Sequence, residues 1–174
     1  MATQTFNFQD GNGFVPAHRH INSDGSPGGW VAETAFVEPK CHIGYYARVY
    51  GNAYVSENAC VYHRAQIYGN CVISGNAKVF DNAQVYDHAL IYENSMIYDD
   101  AEIYEYAHVL GKARVFSRAL ICGYATVWGE AIVCGNAVVR YNVKMYGKDW
   151  LFGGTLKGKY VFNRNTCILR GMWE

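Results

Sequence analysis

The sequence predicts an all-β solenoid, a parallel sheet wound into stacked coils, on three observations. An aliphatic residue recurs at every sixth position from Val31 to Met145, twenty times without a slip. Two residues before each stands something small, from Gly29, Ala35 and Cys41 through a nearly unbroken run of alanines to Ala137, with Ser95 and Val143 as variants. Polar or glycine-containing pairs such as GN, EN, DN and HR punctuate every unit. Helices repeat near 3.6 residues and flat strands near 2, so a fixed unit of six calls for strand and corner to alternate within each unit.

Each unit reads as a short strand followed by a corner. In AYVS or AQIY the alanine and the aliphatic residue are two apart, so both point inward while the residues between and after them point out. Gly and Asn tolerate the positive backbone angle that a sharp corner needs. Asn52, Asn58, Asn70, Asn76, Asn82, Asn94, Asn136 and Asn142 all fall in one corner slot, where that angle is expected. A single unit cannot bury its apolar edge, whereas stacked units bury a continuous core.

Val55 with Ala59, Ile67 with Cys71 and Val115 with Ala119 place a small residue four positions after an aliphatic one. In this the chain resembles the hexapeptide-repeat, left-handed parallel β-helix family. The stretches VPAHRH and GGWV and the strict NAxV units are similar to hexapeptide-repeat proteins of bacteria and their phages. The resemblance implies a left hand, three units per triangular coil and six to seven coils. At about 4.8 Å per coil the prism would stand roughly 30 Å tall.

The expected organisation is a loop-rich N-terminal cap over 1–28, the β-helix over 29–147 and an aromatic C-terminal cap over 148–174. The last segment loses the period and gains Trp150, Phe152, Tyr160, Phe162 and Trp173, which suits a cover for an open sheet end. Fifteen basic and fifteen acidic residues argue against nucleic acid or an anionic membrane as partner. The opening MATQTFNFQDGNG has neither a basic start nor an apolar stretch, so no secretory signal is expected. Of six cysteines, Cys41 and Cys71 take inward slots and Cys60, Cys122 and Cys134 outward ones. That spacing suits neither disulfides nor zinc and points to reduced thiols in the cytoplasm.

Residues eighteen apart should stack in columns. One outward column carries Tyr50, Tyr68, Tyr86 and Tyr104, a second Tyr62, Phe80, Tyr98 and Phe116, and a third, mixed one includes Tyr92, Leu110, Trp128 and Tyr146. Stripes of this kind would expose more apolar surface than a monomer usually does, so a homo-oligomer is expected. The resemblance implies a trimer with parallel axes and ligand sites in the clefts between prisms. Two corners are polar. One stacks His63, Asp81 and Asp99 beside Arg64, Asn82, Asp100 and Arg118, and the other stacks His88, Tyr106 and Tyr124 beside Asp87 and Glu105.

Three functional classes follow. The first is a non-catalytic oligomer that holds a small ligand, nucleotide-like in one version, or a protein partner. Its candidate residues are Tyr86, His88, Tyr104, Tyr106 and Arg118, with His18 and Arg19 as phosphate contacts. The second is the acyltransferase that the resemblance implies, using acetyl-CoA or another acyl-CoA with His88 or His63 as general base. No insertion breaks the twenty repeats, so the acceptor loop of those enzymes is missing and the reading leans away from catalysis and from any cofactor. The third is a purely structural assembly protein. No metal site is expected, because His42, His63, His88 and His108 fall in different columns and His18 with His20 lacks a third ligand.

Overall fold

The computed structural model describes residues 4–158 together with the strands Val161–Phe162 and Cys167–Ile168. Those residues form strands and turns and no helix. Most strands are two residues long and assemble into one ten-stranded and two eight-stranded sheets, the three faces of a β-solenoid of about seven turns. On the first face Gln66 pairs with Gln84, Gln84 with Glu102 and Glu102 with Leu120, always in parallel and always eighteen residues on. Three six-residue units therefore make one turn.

The inward slots behave as the period predicts. From Ile43 to Met145 every aliphatic member of the series is fully buried, and the alanines beside them are 0 or 1% exposed. Cys41, Cys71 and Ser95 fill small slots without a gap. Burial pushes the Cys41 thiol up to about 11 and Cys71 up to about 12, so neither is a thiolate at neutral pH. Each strand donates to the next coil, as in Gln84 N–H to Ala101 O at 2.9 Å and Tyr86 N–H to Ile103 O at 3.0 Å.

The corners correct one expectation. The positive φ falls not on the asparagines but one residue earlier, at every sixth position from Gly51 to Gly147. Nine of these positions are not glycine: Glu57, His63, Asp81, Asp87, Glu93, Asp99, Glu105, Ser117 and Tyr141. The asparagines instead build amide ladders between coils, Asn58 to Asn76 to Asn94 at 3.3 and 3.2 Å. A left-handed residue costs about 1–2 kcal/mol, and the acids offset it. Glu105 N–H donates to Asp87 Oδ2 at 3.2 Å, Gly123 N–H to Glu105 Oε2 at 2.6 Å and Ser117 N–H to Asp99 Oδ2 at 3.0 Å. Each carboxylate thus satisfies a corner N–H one coil on, worth about 1.5–3 kcal/mol for a charged acceptor.

Both ends differ from the sequence expectation. The described lead-in, 4–28, holds strands between its loops: Thr5–Asn7, Phe14–Ile21 and Pro27–Ala32 pair antiparallel and extend the first face beyond its first coil. They cover an edge that would otherwise be open. Side chains complete the cover where no strand lies. Asn22 accepts from Ile43 N–H at 2.9 Å and donates to Ile43 O at 3.3 Å, and His20 Nε2 donates to Cys41 O at 3.0 Å. A bulge between Arg19 and Ile21 sends His20 into the interior while His18 stays exposed beside Glu33, so the two histidines do not share a site.

Beyond position 147 the ladder continues. Trp150–Phe152 pairs with Ile132–Cys134 and Thr155–Leu156 with Val138–Val139. The step shortens there from eighteen residues to seventeen, Val138 to Thr155, so the core residues become Leu151 and Leu156 and the period slips by one. Trp150 and Phe152 lie on the outer surface, 44 and 52% exposed, rather than over the core. Phe162 lies in a further paired strand, and Tyr160 and Trp173 fall outside the described residues.

The buried His20 makes the cap sensitive to pH. Burial, with His18 and His42 nearby, holds its pKa below the ordinary histidine value, against the opposing pull of the Cys41 carbonyl. Between the two values the unfolded chain binds more protons, so cap stability is full above about pH 6.5 and is lost as pH falls through the folded value. Hydrogen exchange at the Ile43 amide should therefore accelerate from pH 7.5 to 5.5, after correction for intrinsic rates, relative to mid-solenoid amides. In a His20→Gln variant that acid-dependent difference should vanish.

Candidate functional site

The aromatic columns form as the eighteen-residue spacing requires. Tyr50, Tyr68, Tyr86 and Tyr104 stack with centroids 4.8–5.0 Å apart and planes within 6°, and Phe8 extends the column below Tyr50 at 4.8 Å. His88, Tyr106 and Tyr124 form a second stack along a corner, at 4.8 and 5.1 Å. Stacking hides the flat ring faces. A guest ring needs roughly 3.5 Å on either side, which a 4.8 Å spacing does not provide. The columns are therefore walls rather than slots for a planar ligand.

The other expected residues lie elsewhere. Arg118 stands at a different corner among Asp81, Asp99 and Asp100. His18 Nδ1 is 2.7 Å from Glu33. Arg19 donates from Nη1 to Gly28 O at 3.0 Å and Tyr45 O at 2.7 Å, its guanidinium held between the Trp30 and Tyr45 rings at 4.8 and 4.1 Å. That geometry clamps the N-terminal hairpin to the first coil. The hairpin strand lies four strands along the first face from Gln84–Val85, about 19 Å away. Tyr86, His88, Tyr104 and Tyr106 are thus neighbours, and Arg118, His18 and Arg19 are not with them. His63 pairs with Asp81 at 2.8 Å on an exposed corner. Among the described residues no three His, Cys, Asp or Glu side chains converge to hold a metal ion.

A polar hollow of about 340 Å³ lies at the edge of the first face. Two columns line it: Arg48, Gln66 and Gln84 from the outward strand slot, and Tyr46, Arg64 and Asn82 from the adjoining corner, with Gln9 reaching over from the hairpin. Pairing of Arg48 with Gln66 and of Gln66 with Gln84 puts the first three in register. Arg48 is steadied by Nη1 donating to Phe8 O at 3.3 Å and by the Phe6 ring 5.6 Å from its guanidinium. Arg64 is exposed.

The tyrosine column orients the amides of this hollow. Tyr50 O–H donates to Gln66 Oε1 at 3.2 Å and Tyr68 O–H to Gln84 Oε1 at 3.3 Å. Burial pushes Tyr68 up to about 12 and Tyr50 higher still, so both hydroxyls keep their protons. With their carbonyl oxygens engaged, the glutamines present their NH₂ groups as donors. Two guanidiniums and two directed amides meet there, and the lining contains no carboxylate, imidazole or thiol. Such a set can bind and orient an oxyanion.

Sequence reasoning placed Arg64 and Asn82 on a polar corner but passed over Arg48, Gln66 and Gln84. Written at eighteen residues per line, the slot before the aliphatic residue reads Trp30, Arg48, Gln66, Gln84, Glu102, a polar run on an otherwise apolar face. Cys122 and Cys134 keep their outward slots but are covered there: both are buried, and Trp150 Nε1 donates to Cys134 Sγ at 3.3 Å. No protein-family model matches the chain, and no curated protein matches its sequence. Fold and hollow together define a β-solenoid with a cationic, amide-lined recess on one face.

Proposed function

We propose that this chain is a non-catalytic, self-associating β-solenoid that binds and holds a small anionic ligand in the Arg48–Arg64 hollow, with nucleotide-derived anions as the class that fits. The observation that carries this reading is the pairing of two guanidiniums with tyrosine-oriented amides in a lining free of acids. A phosphate would be gripped by Arg48 and Arg64. The exposed Tyr46 ring offers a face for a base, and Gln66 and Gln84 supply donors for its polar edge. Exposed Phe36, Tyr45, Tyr46 and Tyr54 near the N-terminal end support association of copies. In the trimer that the hexapeptide resemblance implies, a neighbouring prism would close the recess. The free thiols suit a reducing cytoplasm.

Native mass spectrometry of protein purified from cells is the direct test. The expected result is an oligomer carrying a fixed added mass that is lost in the Arg48→Ala/Arg64→Ala variant. Each charge-assisted contact is worth about 1.5–3 kcal/mol, so the double variant should weaken nucleotide binding by at least a hundredfold with little change in melting temperature. A clean assembly whose melting temperature responds to no nucleotide or phosphate compound would sink the proposal.

A further inference from the structure

A second recess, of about 530 Å³, runs along the third face and is lined by different chemistry. Its floor is the outward column Met96, Arg114, Ile132 and Trp150, held in register by the pairings of Met96 with Arg114, Arg114 with Ile132 and Ile132 with Trp150. Its rim is the corner column Asn94, Lys112, Glu130 and Lys148. Glu130 lies 4.0 Å from Lys112 and 3.9 Å from Lys148. Arg114 adds a second cation beside the Lys112–Glu130 pair and leaves that coil of the groove positive on a chain with no net charge.

Along the floor, charge and apolar surface are separated, Arg114 standing in one coil and Ile132 and Trp150 in the next two, while the rim keeps Glu130 and Lys148 beside those apolar coils. Lys112 and Arg114 flank one coil, two residues apart. The two coils beyond them offer Ile132 and then Trp150, whose ring is 44% exposed with its Nε1 engaged by Cys134. Two coil steps span roughly 10 Å, about the reach of a medium-length alkyl chain. We infer that this groove binds an amphipathic anion, a medium-chain carboxylate whose head sits on Lys112 and Arg114 and whose alkyl chain lies over Ile132 and Trp150. The head satisfies the excess positive charge, and the chain covers apolar surface that water now wets. The site shares no residue with the Arg48–Arg64 hollow, so either proposal can fail alone.

Titration calorimetry of the full chain with decanoate, below its micelle-forming concentration, tests this. One saturable site is expected, with affinity falling about two- to fourfold per methylene removed through octanoate and hexanoate. Decanol, which lacks the charge, should bind at least tenfold more weakly, and so should decanoate to the Arg114→Glu variant. Arg114 is exposed, so that variant should melt with the parent. The Arg48→Ala/Arg64→Ala variant should bind decanoate unchanged. No saturable heat, equal binding of decanol, full affinity in Arg114→Glu, or loss of decanoate binding in the Arg48→Ala/Arg64→Ala variant would each overturn the assignment.

Discussion

Ala101→Leu is expected to destabilise the solenoid by about 3 kcal/mol or more, near the upper end for an overpacked core. Ala101 is 0% exposed and faces inward from a corner, with Ala83 and Ala119 in the same slot one coil to either side, all 0% exposed. The prism is closed on three sides by hydrogen-bonded sheets, so the added carbons cannot displace a side chain into solvent. They must push a coil off its ladder, at the expense of bonds such as Gln84 N–H to Ala101 O. The reverse change, Ile103→Ala, leaves a void and should cost about 2–5 kcal/mol. In a solenoid each coil touches only its neighbours, so damage at Ala101 should split unfolding into separate transitions for the coils on either side. Urea titration followed by circular dichroism reads both effects. A midpoint within error of the parent would mean that the core has slack its burial does not reveal. Leucine at the outward, half-buried Gln84 is the matched control and should be tolerated.

The core was legible because each inward residue is chosen by one constraint, exclusion from water in a fixed volume, and that constraint repeats every six residues. Corner geometry was half legible. Asparagine marks the corner, but its abundance pointed to the wrong residue, because the left-handed position one step earlier is filled by Gly, Asp, Glu, His, Ser and Tyr alike. At Asp99, Glu105, Ser117 and Gly123 the corner N–H takes its acceptor from a carboxylate one coil before, and no single-position preference reveals that. The N-terminal hairpin was hidden by its bulge, which breaks strand alternation between Arg19 and Ile21. The continuation past Gly147 was hidden by one missing residue, after which Leu156 rather than position 157 faces inward.

Site residues were harder to read for a related reason. Tyr86, His88, Tyr104 and Tyr106 stood out by type, and the structure does make them neighbours, but stacking occupies the ring faces that made them attractive. Arg48, Gln66 and Gln84 are unremarkable singly. They acquire chemistry only when the coil length places them over one another and when Tyr50 and Tyr68 turn the amides. Columns, not residues, are the units of surface function in this fold.

Gly29→Ala is expected to detach the N-terminal hairpin from the first coil and lower the melting temperature, although alanine fills the equivalent slot in most later units. A methyl group there would lie 2.2 Å from the Ala47 carbonyl oxygen and 2.8 Å from that of Gly44. Both are backbone atoms, fixed by the ladder through Arg48 N–H to Ala65 O and Ala47 N–H to Gly44 O. No rotamer change relieves the contact, so the strand Pro27–Ala32 must move away from Arg48–Val49, giving up parallel pairing on one side and antiparallel pairing to Phe14–Ile21 on the other. A cost of about 2–3 kcal/mol follows from overpacking alone. It should be confined to the first coils, because later coils do not contact the site. Hydrogen exchange should then show lost protection at Ala17, Val31 and Ile43 with full protection at Ile103. Ala53→Gly, the opposite change in the same inward slot, should cost only about 1 kcal/mol through backbone entropy. If Gly29→Ala melts with the parent, the first coil is wider than this geometry requires, and glycine at position 29 serves no packing need.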